Sequence, residues 1–571
     1  MNEAVFPSVL LLVPLWPLFL AGAVTLGVTR PLALTLMPWA ALPALAAVAM
    51  PDTELQLPGA MLGGMLVLDA TGRVFLLLSS VLWLASGLLA RARLRGAGPN
   101  AFAVLLLLAM AGGFGLVLAN DALLFYAAST LAGYGLYGAF VHGADAAVLK
   151  AGKTLVVLLV LSDLLVFELL LILGLGVGAV DFVSLRQGFL GADNQGLMLG
   201  LLVVGFGIKT GLLGVHFWLP RIFATAGAAL PPALMAFMLG AGLLGGLRLL
   251  PLGEIDAWVA GEVLRWWAWL TLAYAGFVGL LQTHPRSILA YAAIALGGLW
   301  LGVLSACLQQ PQLWQAAADT LAIVLIQSEF ALAAMLLIDK ANESEQSLSH
   351  GYLISGLNWF AALLLATAPL GMAEVMADRV AEMPIHWAIP VIAFLAANSL
   401  LRRDKGAVAM PEGKNSLSGT GQTWRLNMHG SIQVMMSASL TTLSAFAFVF
   451  KLVEASFGEI ALAALILLAS LLVAVLSTKF IATRLPALPP GDVLVSISHG
   501  LVLARNHAHR LIGTSALRWP DLGQALVRRL WSRMARKNVT EQWGTALDRW
   551  PTALVLMLLV GLLVAWMAGQ G

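Results

Sequence analysis

Gly205-Phe206-Gly207-Ile208-Lys209-Thr210-Gly211-Leu212-Leu213-Gly214-Val215-His216-Phe217-Trp218-Leu219-Pro220 sets one lysine inside an otherwise uncharged apolar run of about membrane-spanning length. A cation near the bilayer centre costs roughly 3 kcal/mol on insertion scales, so it normally faces a protein interior or a water-filled path. Lys209 stands about nine residues, or roughly 13 Å at helical rise, before Trp218-Leu219-Pro220. That is too deep for its side chain to snorkel easily to the interface. Glycines at 205, 207, 211 and 214 make local unwinding physically plausible, and a freed backbone at that depth is tolerated only beside a cavity.

Composition places the whole chain in the same solvent. With 60% hydrophobic and 11% charged residues over 571 positions, it reads as an all-α polytopic membrane protein. Apolar runs begin near Val5 and recur up to Leu401, with two more at 433–483 and a last at 551–568, giving about sixteen transmembrane helices. The first run is long enough to span and lacks a basic leader, so it is expected to be retained. Cys307 is the single cysteine, which excludes an internal disulfide, a cysteine-ligated iron–sulfur cluster and a thiolate zinc site.

Most of the 32 Lys and Arg fall in the loops that leave odd-numbered helices, among them Arg91, Lys150, Arg286, Arg402 and the segment from Lys479 to Arg549. By the positive-inside rule those loops are cytoplasmic and both termini lie on the other side, in a cell inner membrane. The polar stretch 402–432 reads as a flexible cytoplasmic loop. Residues 485–550 alternate Leu, Val, Ile and Trp with Arg, His and Gln, the pattern of an amphipathic interfacial segment suited to anionic lipid or a cytoplasmic partner. No nucleic-acid motif, metal cluster, cofactor-binding motif or catalytic constellation is visible.

Lys209, His216, Trp218, Leu219 and Pro220 resemble a signature of the antiporter-like subunits of respiratory complex I, Mrp cation/proton antiporters and membrane-bound hydrogenases. Thr283-His284-Pro285-Arg286-Ser287-Ile288-Leu289-Ala290-Tyr291 and the Asp69–Ser80 segment resemble two further stretches of that family. The resemblance covers about residues 65–310 and implies two inverted five-helix repeats with broken helices, joined by a polar axis that moves protons or cations. On that frame, residues 1–100 hold three helices, 101–250 and 264–401 the two half-channel repeats, 402–432 the loop, 433–483 two helices, 485–550 the amphipathic segment and 551–568 the final helix.

Residue by residue, the resemblance puts Lys209 in the ion-translocation path, with Asp163 or Glu168 as its carboxylate and His216 nearby. The family usually carries a glutamate on its fifth helix, and Phe125-Tyr126-Ala127-Ala128-Ser129-Thr130-Leu131 has none. Five residues apart, Asp163 and Glu168 lie about 140° apart round a helix and cannot face one point; Asp163 better matches a family aspartate. Glu329 and Glu374 are the second-half candidates, in place of the family's lysines, while Trp218, Pro220 and Arg286 take structural roles at loops.

Three readings follow. The first is a proton- or cation-translocating subunit with no redox centre of its own, driven by other membrane subunits of a NADH:quinone oxidoreductase-like, Mrp-like or hydrogenase-like complex and their soluble redox proteins. The second is the membrane subunit of an inorganic-carbon uptake complex with a soluble zinc protein. The third is a non-conducting scaffold.

Overall fold

A computed structural model describes residues 5–57, 64–91, 94, 100–338, 348–370, 372, 385–408, 435–445 and 447. Two compact units divide the chain, 1–56 with 65–493 and 57–64 with 494–571. All the described helices lie in the first. Glu374, most of the 402–432 loop, the amphipathic segment 485–550 and the final helix 551–568 lie outside the described residues.

The chain starts with α1 (Val5–Thr25) and the short helices α2 (Arg30–Leu36) and α3 (Leu42–Ala47), separated by a 3₁₀ turn at Met37–Trp39. Prolines in the first turns of α2, the 3₁₀ turn and α3 lack the amide that a continuous helix would need, so the second apolar run is built in pieces. A two-stranded hairpin, β1 (Thr53–Leu57) and β2 (Gly64–Leu68), follows within the otherwise helical described residues. Next come α4 (Ala70–Ala90), α5 (Ala101–Leu118), α6 (Ala122–Val141), α7 (Ala146–Val177), α8 (Phe182–Leu190), α9 (Gln195–Thr210) and α10 (Leu219–Thr225). α11 (Leu230–Phe237), a π-helical stretch Met238–Leu244 and α12 (Gly245–Leu249) form one apolar span. The first unit continues with α13 (Trp258–Leu281), α14 (Pro285–Gln309), α15 (Leu313–Ile338), α16 (Leu348–Thr367) and α17 (Ile385–Val408).

Among the described residues, eight helices are long and apolar enough to cross a membrane, and four shorter apolar helical stretches accompany them. Their starts are legible as chemistry: Asp69, Asp121, Asp145 and Asp181 each accept a backbone N–H three residues on, an N-cap worth about 1 kcal/mol. Asp121 also accepts from the Met65 amide at 2.9 Å, which ties the hairpin to α6. α13 begins at Trp258, with Glu262 and Arg265 paired one turn apart along it. One boundary differs from the sequence reading. α17 runs on to Val408, past the apolar limit at Leu401, because Arg, Lys and Ala sustain a helix beyond the hydrocarbon.

α14 is the centre of the described bundle. It packs against α10, α13, α15 and α17, and 89% of its membrane window is buried. α7 packs on α6, α8, α9 and α10 but leaves one long side uncovered, with only 33% of its window buried.

Candidate functional site

α9 ends inside the apolar bundle, one residue after the lysine. Gly211 takes φ 75° and Gly214 φ 93°, the left-handed region that glycine reaches without strain. The chain is open from 211 to 218 before α10 resumes, so the break follows Lys209 and leaves the lysine in the last intact turn. Gly205 and Gly207, expected to help unwinding, are helical. Carbonyls freed at a break must find donors where water is scarce. Leu212 N donates to Gly207 O at 2.9 Å, the Trp218 indole N–H to Ile208 O at 3.0 Å and the Trp267 indole N–H to Leu213 O at 3.1 Å.

Lys209 is 1% exposed. Its Nζ donates to Ser129 Oγ of α6 at 2.7 Å and pairs with Asp163 Oδ1 of α7 at 2.8 Å. Tyr134, one and a half turns beyond Ser129 on α6, brings its hydroxyl near enough to Asp163 for the two to interact electrostatically. Ser162, beside Asp163, donates to Gly205 O at 2.6 Å and fixes α7 against α9. The negative end of the α9 dipole also favours a cation in its last turn. Three helices thus converge on one ammonium, one carboxylate and two hydroxyls, a set in which a proton can be held or passed when the ion pair separates.

The fifth-helix stretch without glutamate supplies Ser129 to the lysine. Glu168 is not brought to it: the residue lies exposed on the uncovered side of α7, as the 140° offset from Asp163 requires. The π-helical stretch seats α9, since a Cβ on Gly242 would collide with the Thr210 side chain. A cavity of about 110 Å³ between α9, the π-helical stretch, α14 and α15 is lined by apolar groups such as Phe206, Leu243, Leu301 and Trp314. Lys209 is not part of that lining.

His216 is 1% exposed, its ring 5.3 Å from that of Tyr274 and 6.2 Å from that of Tyr291. Pro220 opens α10, and its carbonyl accepts from the Ser287 hydroxyl at 3.3 Å. Arg286 is not a solvated loop residue. At 1% exposure in the first turn of α14, it donates to Ala226 O at 2.9 Å and to Leu336 O at 3.3 Å.

In the second half, Glu329 on α15 is half-buried and makes no hydrogen bond or ion pair among the described residues. Close to it in sequence, Gln327 donates to Leu364 O at 2.8 Å and to Thr367 Oγ1 at 2.9 Å, while its own carbonyl accepts from Ser444 at 2.7 Å. Sequence reasoning missed Gln327, Thr367, Ser129 and Tyr134, whose neutral side chains blend into apolar helices. Arg248 is 7% exposed and reaches Asp69 at 3.2 Å and Val117 O at 3.3 Å.

Residues 119–377 match the family model described as NADH:quinone oxidoreductase/Mrp antiporter, TM. NADH-quinone oxidoreductase subunit N of Chromohalobacter salexigens is 28% identical over 43% of this chain and 50% of its own length. NADH-ubiquinone oxidoreductase chain 4 of Mycosarcoma maydis is 28% identical over 30% of this chain and 35% of its own. The chain therefore spans half or less of these curated relatives. A chain of the Mrp complex from a Dietzia species shares the fold with a TM-score of 0.60 at 16% identity, covering 93% of this chain and 63% of that one. A chain of respiratory complex I from Thermus thermophilus, solved with bound NADH, gives 0.59 at 19% identity over 77% and 99%.

Proposed function

We infer, from the place of residues 119–377 in the NADH:quinone oxidoreductase/Mrp antiporter transmembrane family, that this chain is a proton- or cation-translocating subunit of a multi-subunit membrane complex. The observation that carries the reading is the buried Lys209, held by Ser129 and Asp163 at the end of a broken helix. An ionisable cation is costly at that depth, and Lys rather than Arg is the cation that sheds its proton when moved between environments. In this reading partner subunits supply the driving energy.

In this reading the Lys209–Asp163 contact is made and broken as α7 shifts against α9, and a proton moves along the path when it parts. The two half-channels would be inverted repeats, 101–250 and 264–401, with Glu329 and Glu374 on the second path. Both termini would lie on the non-cytoplasmic side of the inner membrane, as the loop charges suggest.

The test is proton flux through the intact complex in sealed vesicles. Lys209→Ala is expected to abolish driven flux while the complex still assembles. Undiminished flux with normal assembly would overturn the reading and leave the scaffold role.

A further inference from the structure

Three helices carry the same order of side chains. On α6, Ser129, Phe125 and Asp121 follow one another at four-residue steps, on one face and about 6 Å of rise apart. On α9, Phe206 lies one turn before Lys209. Across from them, Gly242 of the π-helical stretch abuts Thr210, and Gly245 and Arg248 of α12 follow at three-residue steps. Each row runs from the level of the ion pair, through an apolar layer, to a charged end. At that end the Asp121 backbone bridges that of Asp181, the N-cap of α8, while Arg248 pairs with Asp69.

The apolar layer is aromatic. The Phe125 ring meets that of Phe206 at 6.1 Å and 69°, and that of Phe182, the first residue of α8, at 5.8 Å and 77°, edge to face in both cases. None of the three is more than 4% exposed. A Cβ on Gly245 would overlap both Phe125 and Phe206, so α12 closes on the two rings directly. An apolar constriction of this kind stops ions by excluding water. In the opposite direction from the ion pair, α6 continues with Tyr134 and Tyr137, both half-buried, and polar groups lead away from Lys209 on that side.

We propose that Phe125, Phe206 and Phe182 form a dry gate that shuts the Lys209–Asp163 pair off from the α8 end of the bundle, and that ions cross this layer when the rings part. The inference rests on the preceding reading and deepens it, since a gate needs a path to close. The π-helical stretch ends at Leu244, immediately before Gly245. A change of pitch there would move the backbone on which the rings rest.

The experiment measures thiol access in the full chain, in native membranes, after Cys307→Ser has removed the single native cysteine. Ser129→Cys places a thiol just inside the rings. Asp193→Cys, exposed in the turn between α8 and α9, marks which face of sealed vesicles is the α8 end. Silver ion is added to one face at a time, and the thiols left unreacted are counted after denaturation. Silver is expected to reach Ser129→Cys from the Asp193 face at least about tenfold faster once Phe125→Ala or Phe206→Ala opens the layer. Phe125→Leu, which keeps the layer filled, is expected to leave the rate as it was, and so is Phe330→Ala, at an equally buried ring on α15. Fast access with the rings intact, a rate that ignores both ring-to-alanine changes in the layer, or as large an increase from Phe330→Ala would overturn the proposal. Driven flux, measured in the chain that keeps Ser129, separates the two ideas: Lys209-dependent flux with access that ignores the rings sinks the gate alone, and ring-dependent access with no Lys209-dependent flux sinks conduction alone.

Discussion

The hydroxyl oxygen of Ser129 accepts a hydrogen bond from Lys209 Nζ across 2.7 Å, joining α6 to the last turn of α9. A neutral acceptor leaves Asp163 as the only carboxylate within ion-pair distance of the ammonium among the described residues. Hydrogen bonds to charged groups contribute about 1.5–3 kcal/mol, so Ser129→Ala should destabilise the charged lysine by that order and lower the driven flux roughly tenfold or more. The measurement is flux against pH in reconstituted complex; a profile identical to wild type would mean that the hydroxyl plays no part.

The ion pair is expected to behave asymmetrically. Lys209→Met alone strands the Asp163 carboxylate in the interior and should cost about 3–5 kcal/mol, whereas Lys209→Met with Asp163→Leu should recover most of that stability and none of the flux. Thermal denaturation in detergent separates the two variants. Lys209→Arg should keep the pair and still fail to conduct, because a guanidinium does not release its proton.

Trp218→Phe keeps an aromatic ring but removes the pyrrole half of the buried indole together with the N–H that serves Ile208 O, adding a small cavity cost to the lost bond. The carbonyl retains the Gly211 amide at 3.3 Å, so the loss should be about 1 kcal/mol rather than a collapse of the break. A melting temperature lowered by several degrees with flux preserved is the expected pair of results. Flux lost without any fall in melting temperature would assign the indole to the ion path instead.

Glu329→Gln separates conduction from packing in the second half. Replacing a half-buried carboxylate that has no partner among the described residues with a neutral amide of the same shape should leave stability unchanged or raise it, while driven flux falls. Normal flux in this variant would remove Glu329 from the path.

How legible all this was depended on charge. Lys209 stood out in the sequence because an ion in an apolar run is conspicuous, and the helical offset showed that Asp163 and Glu168 could not both face it, the family resemblance favouring Asp163. Ser129, Tyr134, Gln327 and Thr367 gave no such signal, since a hydroxyl or amide among leucines reads the same whether it faces lipid or a lysine. The π-helical stretch at 238–244 was equally hidden. Its Gly240 and Gly242 mark close packing only once the opposing Leu116 and Thr210 are known. Arg286 was misjudged for a different reason: a basic residue beside a helix start satisfies the positive-inside rule whether it is solvated or buried.

Arg286 also has a mechanical side. One planar guanidinium, rooted in the first turn of α14, grips the carbonyl just past α10 at Ala226 and the carbonyl near the end of α15 at Leu336. The segment after the broken helix and the principal helix of the second half thus share a rivet. Neither carbonyl can part from that guanidinium without losing a donor at a place where little water could replace it.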